Sequence, residues 1–317
     1  MTTSVCMGIY NGEKFIEKQL FSIFCQTKRP EEVILVDDGS TDATVHIVQQ
    51  FINKYELKDT WKLIVNAENK GYPQNFYYAM SLCTQEVVFL ADQDDIWDAK
   101  KLENMCAVLE TADTAKAVCC KFGLIDENEN RIRTVMRPTF SRGTDTVRII
   151  SVKDVFYKCE WPGMVLAYRR EWYSQCMAEW QSRQHMPKKI TIPHDLLICV
   201  WAAEADGFVQ MDEELAWHRR HANNAGGEEH RVKKLLNKDR KLREIENYCH
   251  ILDFLWENEV LSTENGRAAL RTKQDSMKGR YEALVSGKIG KVLENARIRR
   301  KEIRLATLLC DVMIVKR

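Results

Sequence analysis

Two aspartates one residue apart, Asp92-Gln93-Asp94, close an apolar run at residues 87–90. Carboxylates at this spacing can together meet a hard divalent cation, which neutralises a diphosphate and stabilises it as a leaving group. Without a cation or donors they repel each other. The alternative is a solvated acidic turn in which Asp95 caps the next helix. A second pair, Asp37-Asp38, follows the apolar run at residues 33–36. A carboxylate at such a strand end can accept from a base N–H or a ribose hydroxyl. Helix capping by Ser40, Thr41 or Asp42 is expected as well, but does not account for the pair that precedes those residues. His194-Asp195 opens a helical pattern after Pro193, where the helix dipole favours a carboxylate. Asp195 is a candidate general base for a hydroxyl, with a plain helix cap as the alternative. His218-Arg219-Arg220-His221 offers charge-assisted donors to phosphate oxygens, or else is a solvated basic turn.

These residues need elements to position them. Residues 3–125 alternate short apolar runs with helix-period segments, the pattern of a βαβ sheet. Strands are expected at 4–9, 33–36, 63–65, 87–90 and 117–122, with helices at 13–24, 45–55, 75–82 and 100–109. In an open parallel sheet, ligands bind beyond the carboxyl ends of the strands, and both acidic pairs fall at such ends. Residues 126–146 read as a polar surface loop. A strand at 163–168, a helix at 171–180, a helix from His194 to residue 203 and two closing strands at 208–211 and 215–218 follow. After residue 226 the sequence is helix-forming throughout. Val232, Leu235, Leu242, Ile245, Cys249, Leu252, Leu255 and Trp256 form one apolar stripe. The boundary is placed near Gly226, giving domains of residues 1–225 and 226–317.

The 317 residues are 45% hydrophobic and 29% charged, a globular balance that excludes disorder. No zinc or redox CxxC pair occurs among the eleven cysteines, which are expected to be reduced core residues. No segment reads as a signal peptide or a membrane span, so a cytoplasmic protein is expected, at most peripheral on the inner membrane face. The net charge of +1 hides an asymmetry. Residues 226–317 hold 21 Lys and Arg against 14 Asp and Glu, and the rest of the chain 26 against 32. Dinucleotide-binding GxGxxG, the P-loop and the nucleophile elbow are all absent.

The order of motifs resembles glycosyltransferase family 2. The residues that carry the resemblance are V-C-M-G-I-Y-N-G-E from Val5 to Glu13, including Gly8, Tyr10 and Asn11, then Gln26-Thr27 and V-D-D-G-S-T-D from Val36. Asn69, Gly71 and Asn75 match an N-x-G-x-x-x-N segment, and Ala91 to Trp97 a metal-binding strand end. The spelling D-Q-D-D-I-W, with His194-Asp195 and R-x-H-x-N-N from Arg219, is most similar to bacterial rhamnosyltransferase-like members that build cell-surface polysaccharide. The resemblance covers about residues 3–224.

It implies the GT-A fold, a Rossmann-like, mostly parallel mixed sheet flanked by helices, here with a C-terminal helical extension. It implies that Asp38, with Gly8 and Tyr10 backbone, holds the base and ribose of a UDP- or dTDP-sugar. Asp92 and Asp94 would face the ribose and an Mg²⁺ or Mn²⁺, with Asp94 the direct ligand. Asp195 would be the base of a single, inverting displacement. His218 and His221 would lie near the diphosphate on a mobile closing loop. The acceptor would be a glycan, free or carried on a polyprenyl lipid. The chain has His194 where many relatives have Glu, which leaves the role of His194 open. The basic C-terminal helices suit anionic lipid, while their apolar stripe suits packing on the catalytic domain or a second subunit. A catalytically inactive sugar-nucleotide-binding protein is the rival reading. Nucleic-acid binding is disfavoured, because the basic tracts lack interleaved aromatics.

Overall fold

The computed structural model describes residues 1–132, 147–158, 161–183, 190–221, 236–299 and 303–316. The chain divides into two compact units, residues 1–151 with 160–220, and residues 152–159 with 221–317.

The first unit is built on a nine-stranded sheet. Its first half is β1 (Thr3–Ile9), α1 (Ile16–Phe24), β2 (Glu32–Asp37), α2 (Thr44–Lys54), β3 (Trp61–Val65), α3 (Tyr72–Ser81) and β4 (Val87–Ala91). β1, β2 and β4 are buried along almost their whole length, as strands covered on both faces must be. They pair in parallel in the spatial order β3-β2-β1-β4. The register decides where the site lies. Ile9 is level with Asp37, and Met7 with Ala91. Residues Tyr10, Asp38 and Asp92 therefore leave the sheet at one edge.

The second half contains β5 (Ile96–Trp97), α4 (Lys101–Thr111), β6 (Ala117–Ile125), β7 (Val147–Ile149), β8 (Leu166–Arg169), α6 (Arg170–Gln181), α7 (His194–Glu204) and β9 (Phe208–Arg219). β8 is antiparallel to β4 and to β6, so the sheet is mixed. Two expectations need correction. The two closing strands are one, β9, because its acidic interruption at Asp212-Glu213-Glu214 is absorbed as an irregularity in pairing with β6. Lys121 forms an ion pair with Asp212 there. The expected strand at 163–168 starts as a 3₁₀ turn, Gly163–Val165, and becomes β8 only afterwards. The pair β5 was not anticipated, because two residues carry no periodicity.

In the second unit, α5 (Val152–Lys158) and α8 (Lys238–Glu257), α10 (Ile289–Ile298) and α11 (Leu305–Lys316) surround α9 (Glu264–Ser286). Asn237 caps α8 by accepting from the Arg240 amide at 3.0 Å, and Thr263 caps α9 by accepting from the Gly266 amide at 3.0 Å. Gly287, with φ of 63°, closes α9 in the left-handed conformation. Ile245, Leu252 and Leu255 of the expected stripe are buried, whereas Trp256 is exposed, since it sits 100° around the helix from Leu255. Val232 and Leu235 lie outside the described residues. Arg280 and buried Asp311 make a two-point ion pair at 2.7 and 2.8 Å. Among the described residues no helix is long and apolar enough to cross a membrane, and all ten cysteines there are free.

Candidate active site

At the end of β2 the chain turns through Gly39, whose φ is 81°. Asp37 makes that turn by accepting from the amides of Gly39 (3.1 Å) and Ser40 (2.8 Å). Its other carboxylate oxygen is buried and has no partner among the described residues. Asp38 is buried too. One of its oxygens accepts from Asn66 Nδ2 (2.9 Å) and the Lys70 amide (2.8 Å), and the other from the Gly71 amide (2.9 Å). Asn69 donates to the Asp38 carbonyl at 2.9 Å. Asn75 donates to the Val36 carbonyl at 2.9 Å and accepts from Asn66 at 2.8 Å. So Asn69, Gly71 and Asn75 act on Asp38 and β2, and fix the carboxylate while leaving it lone pairs to spare. Asn66, which the sequence reading missed, is the hinge of this network.

The loop after β1 is tied to both acidic segments. Asn11 takes a φ of 47°, donates its amide to Ser40 Oγ (2.9 Å) and accepts from the Thr41 amide (2.8 Å). Of the three expected capping residues, Asp42 serves the start of α2, accepting from the Thr44 amide at 3.0 Å. Ser40 and Thr41 instead bind Asn11. Gln93 clamps Tyr10 twice: its Oε1 accepts from the Tyr10 amide at 2.8 Å and its Nε2 donates to the Tyr10 carbonyl at 2.9 Å. A Cβ on Gly12 would lie 2.6 Å from Gln93 Oε1. The residue between the two metal-candidate aspartates thus holds the β1 loop, and Gly12 is the space it needs.

Asp92 and Asp94 are half-buried and Asp95 fully buried. Burial, then the negative charges of Asp95 and Asp94, push the Asp92 carboxyl well above the usual range. Burial raises Asp95 as well, against the opposing hydrogen bond from His218. That bond joins Asp95 Oδ1 to His218 Nδ1 at 3.0 Å, and the same oxygen accepts from the Arg219 amide at 2.9 Å. For His218, burial works against charge, but Asp95 and Asp92 outweigh it and raise its pKa.

His218 is the penultimate residue of β9 and not part of a loop, a correction that follows from the length of that strand. Arg219 is corrected likewise. Its guanidinium is buried, donates to the carbonyls of Asp94 (2.8 Å), Asp126 (3.3 Å) and Glu127 (3.3 Å), and lies over the Phe15 ring. It holds the acidic turn in place. His221 belongs to the second unit, and Asn223-Asn224 lies outside the described residues.

Below the acidic turn sits Lys101, fully buried, with its ammonium 3.7 Å from the Trp97 ring centre and donating to the Met164 carbonyl. Burial brings it down to about 8, while Asp95 and Asp92 act to hold its charge. The sequence shows only a lysine in the first turn of a helix, so nothing there distinguished it from a solvated one.

Asp195 is the second residue of α7 and not its cap, which is Pro193. Burial pushes its carboxyl up to about 6 against the amides of Leu196 and Gly163; the Leu196 bond is 2.8 Å. Its charge is among those that raise Asp92, so the base candidate and the acidic turn share one electrostatic site. His194 is buried and stacked on the Phe76 ring at 4.0 Å and 11°. Neither ring nitrogen has a partner among the described residues, and burial pushes it down to about 3, which keeps it neutral. Two carboxylates, Asp92 and Asp94, could hold a divalent cation whose remaining ligands come from phosphate and water. Among the described residues there is no cluster of three protein ligands.

The sequence profile described as glycosyl transferase family 2 matches residues 4–175, more than half of the chain. The chain belongs to glycosyl transferase family 2. An uncharacterized glycosyltransferase of Nostoc sp. is 29% identical over 226 residues, which are 71% of this chain and 66% of that protein. The chain therefore spans less than two thirds of that relative's length. Among solved structures, Staphylococcus aureus TarS residues 1–349 in complex with UDP-GlcNAc aligns with a TM-score of 0.57 at 19% identity, covering 100% of this chain and 91% of that one. The mannosyltransferase PcManGT from Pyrobaculum calidifontis, in complex with GDP-Man and Mn²⁺, aligns with a TM-score of 0.53 at 17% identity, covering 99% and 85%. These likenesses establish the GT-A fold.

Proposed function

We propose that this family 2 member is an inverting glycosyltransferase that moves a sugar from a nucleoside-diphosphate donor to a hydroxyl of a cell-surface glycan. The observation that carries this reading is Asp195, a carboxylate pushed up to about 6 in the same site as Asp92 and Asp94. A base near neutrality is what deprotonation of a hydroxyl at ordinary pH requires.

Asp38, through its spare lone pairs, accepts from the base and ribose of a UDP or dTDP donor. Tyr10, exposed at the sheet edge, and the backbone of Gly8 and Asn11 contact the same nucleoside. Asn69, Gly71 and Asn75 act through Asp38. His218 donates to the diphosphate. Asp195 takes the proton of the acceptor hydroxyl as that oxygen bonds to the anomeric carbon, on the face opposite the nucleotide. The bond from the anomeric carbon to the diphosphate oxygen breaks, and its electron pair leaves with the nucleoside diphosphate. When bound to Asp94 and Asp92, Mg²⁺ or Mn²⁺ supplies positive charge to the departing diphosphate. The crowding of like charge at Asp92 fits that cation, and the Mn²⁺ of the Pyrobaculum complex supports it. Catalysis is assigned to the first unit, with the helical unit as an appendage.

Proton NMR of the sugar released when water replaces the acceptor tests the reading. The inverted anomer is expected first, from wild type and not from Asp195→Asn. Release of the unchanged anomer, or wild-type turnover by the variant, contradicts it.

A further inference from the structure

The end of the second unit exposes apolar surface that its own packing does not use. Every residue of α11 is apolar except Thr307, Asp311 and Lys316. Asp311 and Ile314 face inward, and Asp311 is consumed by Arg280. Leu305, Leu309 and Met313 face outward, 71%, 55% and 45% exposed. Spaced by four, they form one line along the helix. On α10, which packs against α11, Leu293 and Ile298 are 50% and 65% exposed. Exposed apolar surface of this kind marks an interaction site.

The charge around it is mostly positive. Lys288, Lys291, Arg297 and Lys316 are exposed. Among the described residues from 288 to 316 the acids are Glu294 and the consumed Asp311. The sequence joining the two helices, residues 299–304, holds four basic residues against Glu302, with Arg300, Lys301 and Glu302 outside the described residues. A second copy of the chain fits this surface poorly, because a two-fold contact sets each patch against itself and so cation against cation. Anionic headgroups have the complementary charge.

We propose that α10 and α11 dock on an anionic lipid bilayer, with Leu305, Leu309 and Met313 among the acyl chains and the surrounding lysines and arginines at the phosphates. α11 is about 18 Å long at 1.5 Å per residue, against a hydrocarbon core of about 30 Å, so it lies in the interface and does not cross it. Long basic side chains lay their stems along the apolar surface while their heads reach the phosphates. This docking does not depend on the chemistry proposed for the first unit.

The test is co-sedimentation of the full chain with vesicles of phosphatidylcholine alone, or of equal parts phosphatidylcholine and phosphatidylglycerol. Binding to the mixed vesicles only is expected. Leu305→Glu with Leu309→Glu, both exposed and clear of the Arg280–Asp311 pair, should lower it at least 10-fold with the melting temperature unchanged. Lys291→Gln with Arg297→Gln should lower it roughly 30-fold, at about a factor of five for each basic charge. Equal binding to neutral vesicles, or none to mixed ones, overturns the proposal. So does a dimer in sedimentation velocity that the two glutamates dissolve.

Discussion

Asp38 and Asp92 leave the sheet on opposite sides of β1, at the ends of β2 and β4, yet their surroundings are opposites. The Asp38 carboxylate is met by three donors from the chain itself, the Asn66 amide group and the amides of Lys70 and Gly71. Asp92 is met by the like charge of Asp95 and Asp94, and burial pushes both it and Asp95 upward against the opposing effect of His218. One acidic end is finished by folding and the other is left incomplete. The difference teaches what to ask of an acidic cluster: whether its charge is already compensated, since only an uncompensated one has free energy to gain from a cation or a proton. Asp195, also raised by burial, stands with the incomplete side.

The largest effect is expected at the base: Asp195→Asn should lower kcat at least 100-fold. It should leave nucleotide affinity within about a factor of three by calorimetry, because the proposed mechanism gives Asp195 no part in donor binding; a matching loss of affinity would merge the proposed base with the donor site. In wild type the acid limb of kcat should fall at about pH 6, where Asp195 takes up its proton.

Next come the two acidic ends themselves. Asp94→Ala should abolish the metal-dependent nucleotide binding with little change in stability. Asp38→Ala should weaken the Mn²⁺-dependent binding of the nucleotide. It should also destabilise the fold by roughly 1–3 kcal/mol, since buried donors lose their acceptor. Denaturant melts and titrations of both variants check the contrast, and an exchange of the two phenotypes would refute it.

Gly12→Ala drives a methyl into Gln93, which joins the two regions through Tyr10. A loss of about 1–3 kcal/mol is expected. Adding Gln93→Ala should recover it, which a double-mutant cycle measures.

The smallest effect is on stability against pH. A carboxyl with a raised folded pKa favours the fold when protonated, so its contribution is present below about pH 4 and is lost as pH rises through 6. Asp195→Asn should therefore melt a few degrees above wild type at pH 8, and at the wild-type temperature below pH 4. A constant gap across pH would remove the raised pKa from the account.

Much of this was legible before folding. Alternating apolar runs placed the parallel half of the sheet, and the residues after each run placed Asp38 and Asp92 at one edge. What stayed hidden depends on neighbours distant in sequence. Gln93 looks like a spacer between two aspartates, but is a clamp on a loop 83 residues away. Arg219 looks like one of several surface cations, but is buried under the acidic turn. Lys101 and Asn66 carry no local pattern at all, because burial is imposed on them by tertiary packing. The acidic break in β9 reads as a turn because a bulge and a turn use the same polar residues.

We propose that the β4 end is an incomplete site which a cation and a nucleotide finish together. The direct measurement is a thermal-shift titration with UDP, dTDP, GDP and CMP, each with Mn²⁺ and with EDTA. The account predicts stabilisation by one nucleotide in the presence of Mn²⁺ only, about 2.7 kcal/mol at 100 times its Kd, retained in Asp195→Asn and lost in Asp94→Ala. The same shift in EDTA, or one that survives Asp94→Ala, would contradict it.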